Sequence, residues 1–255
     1  MGSYLGKYAE FYNVIYANKP YAQEAEFVHA SLQRHAHGPV QQLLELACGT
    51  GRHAAALAAL GYSILATDYS ADLLSVARAN ATAANVQFEL QDMRALKLDG
   101  RQWDAVYCLF DSIGYVQTNA AVQQVLQNIH TALRPDGLCI LEFWHAPAML
   151  RGYEPHRQAS WPLPGGGQLE RSSDTRLDIE RQVAEVHYTL RELAADGSLV
   201  TELEETQVNR YFLVQEMALF LESAGLTPLE WLAAYTPAPI TLDTWHVMVV
   251  ARKAA

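Results

Sequence analysis

Between Gln42 and Trp144 short apolar runs alternate with segments of helical spacing, and this alternation leaves the chain very few architectures. Gln42-Leu43-Leu44-Glu45-Leu46-Ala47-Cys48 reads as a strand with one acidic interruption. Gly49-Thr50-Gly51 follows as a turn, and an alanine-rich helix then runs to Leu60, where Gly61 stops it. Ser63 to Thr67 forms a second strand ending at Asp68, with Ser70 placed to cap a helix through Ala83. Val86 to Leu90 is a third strand, ending at Gln91-Asp92-Met93, and Asp104 to Phe110 is a fourth. Val122, Val125, Leu126, Ile129 and Leu133 then recur at helical spacing until Arg134-Pro135-Asp136-Gly137 breaks the pattern, and Leu138 to Trp144 is a fifth strand. Strands joined by helices at this spacing cross over in right-handed βαβ units, because parallel neighbours cannot be linked by a tight turn. The expected fold is α/β, a doubly wound open sheet with helices on both faces.

After Trp144 the rhythm changes. Pro147, Pro155, Pro162, Pro164 and Gly165-Gly166-Gly167 mark irregular chain. Val186, Tyr188 and Leu190 then share one strand face, Asp196-Gly197 makes a tight turn, and Leu199, Thr201 and Leu203 return. This antiparallel stretch is too long to be a plain loop and must carry structure of its own. Val214 to Ala224 is helical again, and Leu229 to Ala233 with Thr244 to Ala251 are two closing strands. At the other end Tyr4, Tyr8, Phe11, Tyr12, Tyr16 and Tyr21 are too many rings for a solvated tail, so something must cover them. A helix carrying Ala25, Val28 and Leu32 follows and stops at Gly38-Pro39. The chain thus divides into an aromatic lid and helix (1–38), a core (39–145 and 212–255) and an antiparallel insertion (146–211).

Composition narrows the function. The 255 residues include 18 Lys+Arg against 28 Asp+Glu, a formal charge of −10, which disfavours nucleic-acid and anionic-membrane partners. Half the residues are apolar, enough for a core that needs no staples. Cys48, Cys108 and Cys139 all sit in apolar runs and read as reduced core thiols, which implies a cytoplasmic location. No Cys or His spacing suits a metal, so none is expected. No secretory core opens the chain, and no stretch approaches the ~18 apolar residues of a membrane span.

Gly49-x-Gly51-x-x-Ala54, with Asp68 about 20 residues on, satisfies a dinucleotide-binding fingerprint, and any adenosine-bearing cofactor could use it. A nicotinamide oxidoreductase is one such reading. Glu45 before the turn, Asp92 after the third strand and two strands closing the chain form a set that such an enzyme does not need. Glu45-Leu46-Ala47-Cys48-Gly49-Thr50-Gly51, Asp68, Gln91-Asp92-Met93 and Leu133-Arg134-Pro135-Asp136-Gly137 resemble, in order and spacing, the motifs of class I S-adenosylmethionine-dependent methyltransferases over residues 40–145. The tyrosine-rich start, Cys108 to Tyr115, Phe143-Trp144-His145 and the insertion resemble small-molecule N-methyltransferases that act on amino sugars or glycine.

The resemblance implies a Rossmann-like methyltransferase sheet with an antiparallel insertion between the fifth strand and the last helix. It implies S-adenosyl-L-methionine as cofactor, released as S-adenosyl-L-homocysteine. Gly49 and Gly51 would pass under the methionyl part, with Glu45 fixing backbone N–H groups or meeting the cofactor ammonium. Asp68 would hold the ribose diol, Asp92 and Met93 would border the adenine, and Leu109 would pack the cofactor. Ala47 stands where the family usually has its first glycine. The implied acceptor is a small molecule, an amine ahead of a hydroxyl. An oxygen-methylating enzyme of secondary metabolism and a non-catalytic cofactor-binding or assembly protein are the rival readings. Tyr12 and Tyr16 would fold over the cofactor and contact its carboxylate or the acceptor. His145, after the fifth strand, is the candidate base for the acceptor's proton. Tyr115, Trp144, Arg210 and Tyr211 are candidate acceptor walls, and the insertion is expected to cover that site and to mediate a symmetric homodimer.

Overall fold

The computed structural model describes residues 6–81 and 83–254. Tyr4 lies outside them. Two helices come first, α1 (Lys7–Ile15) and α2 (Tyr21–His35). The core then alternates as β1 (Gln42–Leu46), α3 (Arg52–Ala59), β2 (Ser63–Asp68), α4 (Ala71–Asn80), β3 (Val86–Leu90), β4 (Trp103–Cys108), α5 (Asn119–Ala132) and β5 (Leu133–Trp144). The insertion holds α6 (Ala146–Gly152), β6 (His156–Pro162), β7 (Gln168–Asp178), β8 (Val183–Leu193) and β9 (Leu199–Arg210). The chain closes with α7 (Val214–Ser223), β10 (Leu226–Ala233) and β11 (His246–Lys253).

The seven-stranded sheet has the order β10-β11-β5-β4-β1-β2-β3. β1 to β5 run parallel, while β11 is antiparallel to both β5 and β10. Strand alternation sorts the core into two layers. Leu44, Leu46, Val106, Cys108, Leu141 and Phe143 face α5 and α7, whereas Leu43, Ala66, Ala105, Tyr107, Ile140 and Met248 face α2 and α3. Ser70 caps α4 by accepting from the Leu73 N–H at 3.2 Å, although the helix ends at Asn80 and not at Ala83. The expected break at Arg134-Pro135-Asp136-Gly137 is an irregularity inside β5, where Asp136 takes a φ of 62° and the register against β4 shifts. Strand order reverses between β2-β1 and β4-β5, so the carboxyl ends of β1 and β4 open onto the ligand crevice of this fold.

The insertion forms its own antiparallel sheet, in the order β6-β7-β8-β9. It supplies the cover that the aromatic N-terminal segment needs. Tyr8, Phe11 and Ile15 of α1 pack with Leu169 and Leu190 of the insertion, and Tyr8 meets Tyr188 edge to face at 6.4 Å. Helix α1 and the insertion therefore share one apolar cluster. No described helix is long and apolar enough to cross a membrane.

Candidate active site

The turn after β1 is built from left-handed backbone at Ala47 (φ 53°), Gly49 (57°) and Gly51 (73°). Asp68, only 3% exposed at the end of β2, clamps it: one carboxylate oxygen accepts from the Gly49 N–H and the other from the Ser70 N–H, each at 2.8 Å. A carboxylate offers about four acceptor positions, so beside these two N–H groups and that of Tyr69 it keeps capacity for a ligand. A Cβ on Gly51 would lie 2.6 Å from the Phe88 ring, so this glycine serves the close approach of α3 to β3. A Cβ on Gly49 would lie 3.7 Å from the ring and hydroxyl of Tyr12, which sits directly over the turn. Beneath it Glu45 is buried, and its Oε2 finds no hydrogen-bond partner among the described residues. Burial pushes the Glu45 carboxyl up to about 8, against the opposing effect of the Tyr107 hydroxyl. Glu45, Ala47, Arg52 and Leu109 line a small space of about 20 Å³ beside the turn.

A cavity of about 470 Å³ runs from this turn to the insertion sheet. Tyr12, Tyr16, Gly49, Asp68, Phe110 and Trp144 line its inner part, and Arg157, Arg171, Tyr188, Gln207 and Asn209 line the part made by the insertion. Tyr16 stands edge to face on Phe110 at 5.1 Å and tilts against Tyr12 at 4.7 Å. Tyr115 also lines the cavity and donates its hydroxyl to Gln207 Oε1 at 3.1 Å. Burial holds the Tyr12 hydroxyl far above its ordinary pKa, so Tyr12 is a neutral phenol. Arg171 lies 5.2 and 5.1 Å from the rings of Trp161 and Tyr188, which sandwich a cation at the cavity wall.

Other residues singled out in the sequence stand elsewhere. His145 is 6% exposed and is not among the described residues lining the cavity. Its Nδ1 is 3.0 Å from the Thr244 carbonyl, its backbone bridges Phe212, and burial lowers its pKa. Successive residues at a strand end alternate sides, and here Trp144 takes the cavity side. The same alternation acts in β9: Gln207 and Asn209 face the cavity, while Arg210 turns away to Glu216 at 2.5 Å and to the Gln117 carbonyl at 3.2 Å. Tyr211 is 1% exposed and packs with Met149 and Val186. Asp92 accepts from the Arg94 guanidinium, which holds its carboxyl below the usual range, and caps the short turn Met93–Ala95. Met93 packs against the core. Neither is in the cavity wall.

The structure adds a histidine that the sequence reading missed. His246, the first residue of β11, lines the cavity, and its Nδ1 lies 3.0 Å from Asp111 and 3.1 Å from Glu142. The signal was Glu142, an acid inside the apolar run Leu138 to Trp144, which needs a buried partner. Arg171 was legible too, since it alternates with Leu169 on the inward face of β7.

Residues 43–137 match the model of a methyltransferase domain. The chain is 30% identical over 227 residues to the dTDP-3-amino-3,6-dideoxy-alpha-D-glucopyranose N,N-dimethyltransferase of Streptomyces fradiae, covering 88% of this chain and 85% of that relative. It is 31% identical to the dTDP-3-amino-3,4,6-trideoxy-alpha-D-glucopyranose N,N-dimethyltransferase of Streptomyces venezuelae, over 86% of this chain and 90% of the relative. A solved S-adenosylmethionine-dependent methyltransferase from Clostridium acetobutylicum ATCC 824 shares the fold with a TM-score of 0.82 at 17% identity, covering 98% of each chain. The chain belongs to the class I S-adenosylmethionine-dependent methyltransferases and is an enzyme of that class. Its cofactor is S-adenosylmethionine, and the residues at the turn fit it. The orphaned Oε2 of Glu45 calls for a cation such as the cofactor's ammonium, and Asp68 keeps acceptor capacity for a diol.

Proposed function

We propose that the enzyme methylates the amino nitrogen of a nucleotide-linked amino sugar. The observation that carries this reading is the cavity itself, which joins the glycine turn to a wall bearing Arg157 and Arg171. On a chain of formal charge −10, two guanidiniums facing one cavity suit an anionic acceptor such as a diphosphate. The names of the two Streptomyces relatives support the same acceptor class.

S-adenosylmethionine, when bound, supplies a methyl carbon on a sulfonium that departs as a neutral thioether. The protein's own part is to bind, orient and exclude water. In this reading Glu45 meets the ammonium, Asp68 the ribose, Gly49 gives room under the methionyl part, and Leu109 packs beside it. Tyr12 and Tyr16 orient the reacting groups with their hydroxyls and ring faces, and Trp144 and Tyr115 close the acceptor side. Holding the nucleophile about 3–3.5 Å from the methyl carbon supplies most of the acceleration. With His145 off the cavity wall and His246 held between Asp111 and Glu142, the acceptor ammonium loses its proton to water before transfer.

We assign residues 146–211 as the acceptor cover on a core of 39–145 and 212–255, with 1–38 as the lid. Exposed Leu199 and Val200, where β8 turns into β9, support a homodimer through that end of the insertion, and three buried free thiols support a reducing, cytoplasmic setting. The test is incubation with S-adenosylmethionine and dTDP-3-amino-3,6-dideoxyglucose beside dTDP-glucose, followed by mass spectrometry. N-methylation of the amino sugar alone is expected. Methylation of the hydroxyl compound, or of neither, would overturn the reading.

A further inference from the structure

The loop leaving β4 is strained. Phe110 (φ 55°) and Asp111 (φ 58°) are consecutive non-glycine residues in the left-handed region, which ordinary side chains avoid. Such a turn persists only where its surroundings over-determine it, and here they do. Glu142 Oε2 accepts from the Phe110 N–H at 2.7 Å and from the Tyr235 hydroxyl at 2.5 Å. The Asp111 carbonyl accepts from the Gly114 N–H at 2.9 Å. The Asp111 and Glu142 carboxylates, 3% and 2% exposed, both face the Nδ1 of His246. Two buried carboxylates this close repel one another unless a cation sits between them, and His246 is that cation. It reaches Glu142 as a diagonal neighbour, since β11 pairs His246 with Trp144 and Met248 with Glu142.

Phe110 in turn carries the lid. Its ring supports Tyr16, which supports Tyr12, whose ring and hydroxyl lie over Gly49. We propose that His246 is a positioning residue for methyl transfer: by bridging Asp111 and Glu142 it holds the Phe110-Asp111 turn, and through it the Tyr16-Tyr12 pair, over the cofactor turn. A base or acceptor-binding role for His246 is not needed for this. The proposal rests on the cofactor class and not on the acceptor, so its test uses S-adenosylhomocysteine alone.

Stopped-flow displacement measures how fast S-adenosylhomocysteine leaves the wild type, His246→Gln, His246→Lys, Tyr16→Ala and the double variant Tyr16→Ala/His246→Gln, with melting temperatures in parallel. The glutamine variant is expected to release the ligand about tenfold faster. Lysine, a cation able to span both carboxylates, restores the rate to within about threefold of wild type. In the Tyr16→Ala background the same His246→Gln change moves the rate by less than about twofold, because the path through Tyr16 is already cut. A purely structural role would lower the melting temperature without that non-additivity. An unchanged rate in folded His246→Gln, or a full effect in the Tyr16→Ala background, would overturn the proposal. If His246→Gln does not fold, Asp111→Asn replaces it: a rise of about threefold that vanishes with Tyr16→Ala supports the proposal, and an unchanged rate refutes it.

Discussion

The Asp68 carboxylate accepts the Gly49 N–H at 2.8 Å, so an acid at the end of β2 holds the shape of the turn at the end of β1. With its second oxygen on the Ser70 N–H, Asp68 also ties the turn to the start of α4, and the proposed ribose contact would add to that role. Asp68→Ala leaves two buried donors unpaired, which costs roughly 2–4 kcal/mol of stability. The same change weakens S-adenosylmethionine about 10- to 100-fold, as loss of charge-assisted hydrogen bonds would. Chemical denaturation and calorimetry read the two effects separately. A variant with wild-type cofactor affinity would contradict the role given to Asp68.

If Glu45 meets the cofactor ammonium as proposed, binding acquires its own pH dependence. Its carboxyl is raised by burial to about 8 in the free protein, so between the unfolded carboxylate range and pH 8 the folded chain keeps a proton that the unfolded chain has lost. The free protein therefore loses stability as pH rises through that window, and Glu45→Gln abolishes this slope. Binding of the cofactor ammonium favours the ionised carboxylate, so S-adenosylhomocysteine binding at pH 7 releases on the order of one proton. Titrations in buffers of different ionisation heat measure it. Equal proton release in wild type and Glu45→Gln would exclude the pairing.

Ala47 carries a φ of 53° where glycine would be unstrained. Ala47→Gly should stabilise the protein by about 1 kcal/mol, the left-handed penalty less the added entropy of the unfolded glycine. At this chain length that raises the melting temperature by roughly 2–4 °C. A lower melting temperature would show that the alanine methyl packs usefully.

His145 tests where the proton goes. With its ring buried against Thr244 and off the cavity wall, His145→Ala should leave the maximal rate per folded molecule within about threefold while lowering stability. Single-turnover rates against pH should superimpose for the two proteins. A loss of about 10²-fold or more would restore His145 as a general base.

These outcomes separate what the residues declare from what only packing decides. The order of strands and helices was legible because strands buried on both faces read as short apolar runs, as Leu43, Leu44 and Leu46 do, while helices repeat apolar positions every three or four residues, as Val125 and Ile129 do. The glycine turn was legible because its backbone needs particular residues. Which side of a strand end faces the cavity was not, and the neighbours His145 and Trp144, or Arg210 and Asn209, exchange roles on one step of alternation. Asp92 reads as a ligand carboxylate in the sequence, and only the structure shows that Arg94, two residues on, pairs with it. His246 was hidden because its partners, Asp111 and Glu142, are more than a hundred residues away in the chain and meet it only where β11 lies beside β5 and the loop leaving β4.

The account turns on one cavity that joins a cofactor turn to a cationic wall, and Arg171 tests that wall directly. Steady-state kinetics with dTDP-3-amino-3,6-dideoxyglucose should show Arg171→Ala raising the acceptor KM about 10- to 100-fold, the effect of losing a charge-assisted contact to phosphate, with kcat kept within about threefold. An acceptor KM equal to wild type would contradict the diphosphate-binding role and, with it, the nucleotide-linked acceptor.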